Sequence, residues 1–492
     1  MNMARILPTL LLAGLLCAWG QPLRADFGCG GDYSGGSDYG GSGSDYGGSS
    51  SDYSSSGSSD YGSGGGSDDP IAGFIGFAAL LAVAAVGWLI DKFERRSGRR
   101  AAASVASAPP DWAAAIRASD PNFSGPLFVD FANLVFVKYH QARGREGKRD
   151  SIMPYVSAPL RDALPREEIV IDGVVVGGRR VESVIEHASA TRISVVFRAN
   201  VFRVRGGTRL KDFVEQVLVF SRPKGVLTPD PSVVMRLGCP SCGSPEEPRS
   251  SGHCPSCGSL SATGEMAWQV VAVDTRREEP RGEEQRRLGH HNNGLDHPTL
   301  VDSGLQAALR ALTSRDPGFS RQSFVLRASF VFKELQLGWA ARDVLRLRAH
   351  LSDGLYNSVR FGLERHDNQH LRAIIKDIDV YRVEVAKVEH DAWFDTVTAR
   401  IFARMLDYTL DAQGNLYKGD HKEKRDYSEY WTFIRRSDRP HRPSVQGQCP
   451  SCGGPLDKIN QAGVCGYCNS KIVSGDFDWV LCRIEQDEEY RG

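Results

Sequence analysis

Eight of the eleven cysteines stand in four Cys-x-x-Cys pairs: Cys239 with Cys242, Cys254 with Cys257, Cys449 with Cys452, and Cys465 with Cys468. Eleven residues separate the first two pairs and twelve separate the last two. Each such turn folds two thiolates toward one point. Gly243, Gly258 and Gly453, each directly after a pair, permit the tight backbone turn. Two turns face to face set four sulfurs about 2.3 Å from a Zn²⁺ ion, in a tetrahedron. Each quartet is therefore expected to hold one structural zinc, two in all, rather than to work as a redox dithiol. Four thiolates leave no open coordination position, so hydrolysis at the metal is not expected.

The residues between the pairs include Glu246, Glu247 and Arg249 in the first quartet, and Asp457 and Lys458 in the second. They show none of the basic–aromatic interleaving that grips nucleic acid. The formal charge is also balanced, with 60 Lys+Arg against 60 Asp+Glu, so nucleic acid is not expected as a partner. Each ribbon reads first as a metal staple closing a long hairpin, and second as a protein-docking surface. Cys482 alternates with Val480 and Ile484, and its repeat partner is Val271; it is expected to be a core thiol. His366 and His370 lie four apart in a polar segment expected to be a loop. Asp395 and Asp407 are the carboxylates that acid–base chemistry could use. The globular part has no phosphate-binding Gly-rich loop, no His-Glu-x-x-His helix and no nucleophile elbow.

The elements that must position these residues follow a membrane-directed N-terminus. Residues 1–25 read as a secretory signal, with Arg5 ahead of the apolar run Ile6 to Trp19. Residues 26–70 form a Gly/Ser/Asp/Tyr tract, with Tyr33, Tyr39, Tyr46, Tyr53 and Tyr61 each preceded by Asp. Residues 31–70 have no aliphatic side chain and cannot offset the entropy of ordering, so the tract is expected to be a disordered tether. Ile71 to Ile90 is 20 uncharged, mostly apolar residues, about 30 Å as a helix, which matches a bilayer core. Residues 31–70 hold seven Asp and no Lys or Arg, whereas Lys92, Arg95, Arg96, Arg99 and Arg100 follow the span. The asymmetry predicts a single-pass inner-membrane protein with its tail outside and its C-terminal part cytoplasmic.

The remainder looks like one module used twice, at residues 111–274 and 299–487, with a ribbon at 239–257 in the first and 449–468 in the second, and a linker at 275–298. The segment Ser119-Asp120-Pro121-Asn122-Phe123-Ser124 matches Arg315-Asp316-Pro317-Gly318-Phe319-Ser320. Each follows a short amphipathic helix and precedes a long apolar one. Further helical sequence is expected at Ile152 to Leu164 and Ala341 to Leu363. Strands are expected at Glu168 to Val176, Arg179 to Glu186, Arg192 to Val204 and Leu210 to Phe220. The second module has them at Ile374 to Val388, Thr396 to Tyr408 and Tyr427 to Ile434. Cys257 to Trp268 and Cys468 to Trp479 are both eleven residues, a register that points to duplication.

Glu429-Tyr430-Trp431-Thr432-Phe433-Ile434-Arg435, with Trp479-Val480-Leu481-Cys482-Arg483-Ile484, resembles the closing hairpin of the Tim44-like domain. That family is named for the scaffold subunit of the mitochondrial inner-membrane import motor. The Asp-Pro-x-Phe-Ser junction resembles it too, as does Trp393 to Tyr408 with Asp395, Thr396, Val397 and Ala399. The first module departs from the pattern, with Gln216, Leu218 and Phe220 for Glu429, Trp431 and Phe433, and a ribbon interrupts each hairpin. The resemblance implies an α+β fold: two nuclear-transport-factor-two-like cones, each of helices on a curved antiparallel sheet. It further implies scaffolding or tethering at a membrane without catalysis, with a protein partner and a pocket that a lipid or peptide could enter. The rival reading is an enzyme using that pocket for acid–base chemistry on a small molecule.

Overall fold

The computed structural model describes residues 104–106, 111–145, 149–228, 268–283, 292–439, 447–460 and 462–492. The expected signal, tract and apolar span, and the quartet Cys239, Cys242, Cys254 and Cys257, lie outside the described residues. Among the described residues no helix is long and apolar enough to cross a membrane.

The fold is α+β, with antiparallel main sheets. The first half comprises β1 (Ser104–Ala106), α1 (Ala114–Ser119), α2 (Gly125–Arg143) and α3 (Ala158–Ala163). The strands β2 (Val170–Glu186), β3 (Ala190–Arg205), β4 (Thr208–Pro223) and β5 (Gln269–Glu283) then form a meander in sequence order. The second half runs β6 (Leu300–Asp302), α4 (Leu305–Arg315), α5 (Arg321–Ala341), α6 (Val344–Arg348), α7 (Asp353–Asn368), β7 (Arg372–His390), β8 (Phe394–Leu410), β9 (Leu416–Gly419), β10 (Arg425–Arg436) and β11 (Val480–Gln486). Its main sheet is ordered β11-β10-β8-β7, with β9 on β8, and β1 pairs with β6 in parallel. Register shifts interrupt the pairings β2–β3 and β7–β8, three in each. Such bulges bend and twist long strands.

Local chemistry explains the long helices. The Ser124 hydroxyl accepts from Leu127 N at the start of α2, and the Ser320 hydroxyl accepts from Ser323 N at the start of α5. The preceding Asp-Pro turns match as well: Asp120 N donates to Ile116 O and Asp316 N donates to Leu312 O. Arg222 Nη2 lies 2.8 Å from Asp120, and Arg435 Nη2 lies 2.6 Å from Asp316. The same two guanidiniums cover Trp268 at 4.6 Å and Trp479 at 4.7 Å. Phe123 meets Trp268, and Phe319 meets Trp479, at the same 6.1 Å and 69°. An Asp–Arg–Trp–Phe cluster therefore closes each half in the same geometry.

Several boundaries differ from expectation. The two strands expected between Glu168 and Glu186 are one bulged strand, β2. Ile152 to Leu164 yields one short 3-10 turn, Met153–Tyr155, and the six-residue α3, because Pro154 and Pro159 interrupt helical hydrogen bonding. Ala341 to Leu363 is split into α6 and α7, because Leu481 N donates to His350 O and Ser352 N donates to Leu481 O. Part of the expected linker 275–298 is ordered: β5 continues to Glu283, and the stretch before β6 is pinned to the second sheet. There Arg400 Nη2 donates to Gly294 O at 2.6 Å and Nη1 donates to His297 O at 2.8 Å, while Nε contacts Asp487 at 2.8 Å. Cys482 is buried as expected, but it sits in a bulge. Arg483 pairs with Thr432 and Leu481 pairs with Phe433, so Cys482 has no opposite residue. Val480 and Cys482 thus join one apolar cluster with Leu127, and Ile484 joins another. Burial pushes the Cys482 thiol up to about 12.

The two halves touch extensively. Helix α2 lies along α7, and α7 also packs on β2. Arg365, fully buried on α7, places its guanidinium 3.7 Å over the Phe202 ring of β3. Asn133 Nδ2 donates to Ser358 Oγ at 3.0 Å. At the start of α7, Asp130 accepts from Ser352 Oγ at 2.6 Å and from Gly354 N at 3.1 Å. Burial outweighs these bonds and raises the Asp130 carboxyl from 3.8 to about 6. Asp353 also raises it and Arg179 lowers it, and the Cys482 thiol faces the same group. An acid whose pKa is raised on folding contributes stability below its unfolded pKa, and loses that contribution as pH rises through the folded value. The difference is worth about 3 kcal/mol. Wild type should therefore lose stability relative to Asp130→Asn between pH 4.5 and 7.5. Thermal unfolding of both proteins at the two pH values checks this, and a constant offset would refute it.

Candidate metal centre

After β10, the chain leaves the second sheet and returns as β11. The ribbon lies between, made of two matching turns. Cys449 N donates to Gly454 O and Gly453 N donates to Cys449 O; Cys465 N donates to Ser470 O and Asn469 N donates to Cys465 O. The residue after each pair is left-handed, Gly453 at φ 74° and Asn469 at φ 58°. Gly adopts that conformation without steric cost, and Asn tolerates it better than most residues. The missing fourth glycine is thus replaced by Asn469, a substitution the sequence reading did not notice.

The four sulfurs of Cys449, Cys452, Cys465 and Cys468 lie within 4.8 Å of one another. Cys449 Sγ is 3.8 Å from Cys468 Sγ, and Cys452 Sγ is 3.9 Å from Cys465 Sγ. A tetrahedron with bonds of about 2.3 Å has edges of about 3.8 Å. Backbone N–H groups of Ser451 and Tyr467 point at Cys449 Sγ and Cys465 Sγ, at 3.4 and 3.5 Å, as suits thiolate charge. The donor set therefore fits one zinc ion, and all four positions are protein sulfurs. Cys449 and Cys465 are buried and Cys452 is exposed, so the centre sits at the ribbon surface.

The ribbon rests on its own half of the molecule. Ile459, Ile472 and Val473 cluster with Ala349 and the buried cysteines. Arg348 is fully buried beside Gly463 of the ribbon, with Nη1 donating to Leu351 O at 2.7 Å and Nη2 paired with Asp353. Lys471 Nζ reaches the other Asp353 oxygen at 2.9 Å. Sequence reasoning missed Arg348, Asp353 and Lys471, since nothing in a charged helical stretch or a ribbon loop marks a buried ion cluster. It also missed His350, which is packed edge-on to Phe330 at 5.4 Å. Burial, together with Arg327, pushes the His350 imidazole down to about 3, so it is neutral at pH 7.

The other candidates are dispersed. Asp395 accepts from Arg315 at 2.7 Å and lies 3.0 Å from His390 Nδ1. Asp407 accepts from Arg425 at 3.0 Å. The expected loop at His366 and His370 is corrected in part. His366 is buried in the last turn of α7 against Trp339, whereas His370 follows the helix at φ 53°, so the two imidazoles share no helical face. The α5-facing side of the second sheet is filled by Phe332, Trp431 and Tyr427, with Phe332 5.0 Å from Trp431.

Residues 305–444 match the profile of the Tim44-like domain family. No curated protein matches the chain. Among solved structures, the chain is similar to an "Ntf2 like protein involved in plasmid conjugation", at 10% identity and a TM-score of 0.17, over 73% of this chain and 96% of that one.

Proposed function

We propose that this chain is a non-enzymatic, single-pass inner-membrane scaffold that presents two zinc-stapled Tim44-like modules to the cytoplasm and an acidic tail outside. The observation that carries the reading is where the reactive side chains are spent. Asp395 and Asp407 are each held by an arginine, and the described cysteine quartet is a closed donor set. The Tim44-like match at 305–444 and the repeated Asp–Arg–Trp–Phe cluster support two modules of one ancestry. The closed quartet supports zinc, with a second ion expected at Cys239, Cys242, Cys254 and Cys257. The partner is a protein at the membrane face, and a lipid or peptide is the alternative ligand. The Arg/Lys asymmetry around Ile71 to Ile90 supports the orientation.

Protease added to intact spheroplasts should spare residues 111–492; digestion of them would reverse the orientation. Affinity recovery from solubilised membranes tests the role. Compared as folded protein, Asp395→Asn and Asp407→Asn should leave partner recovery within about twofold, while deletion of either module should cut it at least tenfold, since linked sites gain avidity. If a single carboxylate change abolished function in a complementation assay, with the protein folded and its partner still bound, an enzyme using that group would replace the scaffold.

A further inference from the structure

The ribbon does more than close its own hairpin. It touches the helix start on which the two halves of the molecule meet. Asp353 occupies the first turn of α7, where the helix dipole favours a carboxylate. Asp130 arrives from the first half and takes the N–H of Gly354 and the hydroxyl of Ser352. Two buried carboxylates therefore share one helix end, and like charges at such range repel. Arg179 of the first half offsets Asp130, and two cations of the second half offset Asp353: Arg348 on one oxygen and Lys471 on the other. Lys471 belongs to the ribbon, three positions after Cys468. It pairs with Val464, and Ile472 N donates to Gly463 O. The hairpin that presents Lys471 and Gly463 is thus the one built around Cys465 and Cys468.

We propose that the metal centre at Cys449, Cys452, Cys465 and Cys468 locks the two modules together, with the ribbon's Lys471 and Gly463 holding Arg348 and Asp353 so that the start of α7 can receive Asp130. The proposal rests on the metal reading of the quartet and goes beyond a staple, because it couples ion binding to a contact made by the other module. Such coupling is reciprocal: whatever metal binding adds to the interface, the interface adds to metal affinity. Gly354 provides the reverse test. A Cβ there would lie 2.3 Å from Asp130 O and 2.5 Å from its Oδ1, so Gly354→Ala pushes α2 and α7 apart without touching the ribbon.

The experiment uses the full chain in detergent, reduced, with zinc present. Hydrogen exchange is followed in residues 353–358 and 130–137, and zinc transfer to a chromophoric chelator is timed. The release phase lost in Cys468→Ser reports the second quartet. Lys471→Met should keep its zinc yet speed exchange in both segments at least fivefold, a coupling of ordinary size. Gly354→Ala should speed the reporting zinc phase by a similar factor. Unchanged exchange in Lys471→Met, or unchanged zinc release in Gly354→Ala, would overturn the proposal and leave the ribbon a local staple. Should Cys468→Ser unfold the second module, those two variants still decide. A folded wild-type chain without bound zinc would instead sink the metal reading itself.

Discussion

Replacing Cys465 with Ser should lower the zinc content of the purified full chain from about two ions to about one, since a quartet of thiolates binds one ion. The thermal midpoint should fall by on the order of 10 °C. Metal binding contributes folding free energy directly, about 10–16 kcal/mol in isolated zinc-finger peptides. Here only the ribbon depends wholly on the ion, and the sheet beneath it has its own core of Phe324, Phe332, Trp431 and Trp479. The loss should therefore appear as an early, partial unfolding of residues 447–473 that separates Ile459, Ile472 and Val473 from Ala349. Elemental analysis with calorimetry checks both parts. Zinc content unaffected by the substitution would eliminate this quartet as a metal site.

Arg400→Ala should destabilise the chain by roughly 3–5 kcal/mol, the usual cost of leaving a buried charge without its partner. Arg400 and Asp487 expose 1% each of their side chains, and their contact is 2.8 Å. The same guanidinium holds the carbonyls of Gly294 and His297 and the Thr299 hydroxyl. Removing it should free the segment ahead of β6 as well as weaken the sheet. Urea unfolding measures the first effect, and limited proteolysis between residues 284 and 299 reports the second. Pairing Arg400→Met with Asp487→Leu should recover most of the loss, because no charge is then left unpaired. A single-variant loss below about 1 kcal/mol would mean that water reaches the pair and screens it.

Spacing and period carried the local features. Two thiols three apart, followed by a left-handed residue, fold to a common point whatever surrounds them, so Cys449, Cys452, Cys465 and Cys468 were legible from their intervals. Alternating β-branched residues in Ala190–Arg205, and Ser124 and Ser320 ahead of apolar runs, likewise act within one element. The matching Asp-Pro-x-Phe-Ser segments were visible because they are short and contiguous.

The arginines were not visible in the same way. Arg365 stands between Glu364 and His366, Arg348 between Leu347 and Ala349, and Arg400 between Ala399 and Ile401, and each is fully buried. What buries them is a ring, carboxylate or carbonyl distant in the chain: Phe202 for Arg365, Asp487 and Gly294 for Arg400, and the docked ribbon for Arg348. The bond joining Ser352 to Asp130 spans 222 positions. No periodicity can encode that distance, because a charged side chain reads as solvated until its partner has been placed beside it. By itself, the sequence thus determined the turns at Cys449 and Cys465 and the starts of α2 and α5, which depend on neighbours a few residues away. Only the tertiary structure decided that the expected linker is partly pinned, that Cys482 sits in a bulge, and that α7 begins where Asp130 ends its reach. Those outcomes depend on which surfaces exclude water together.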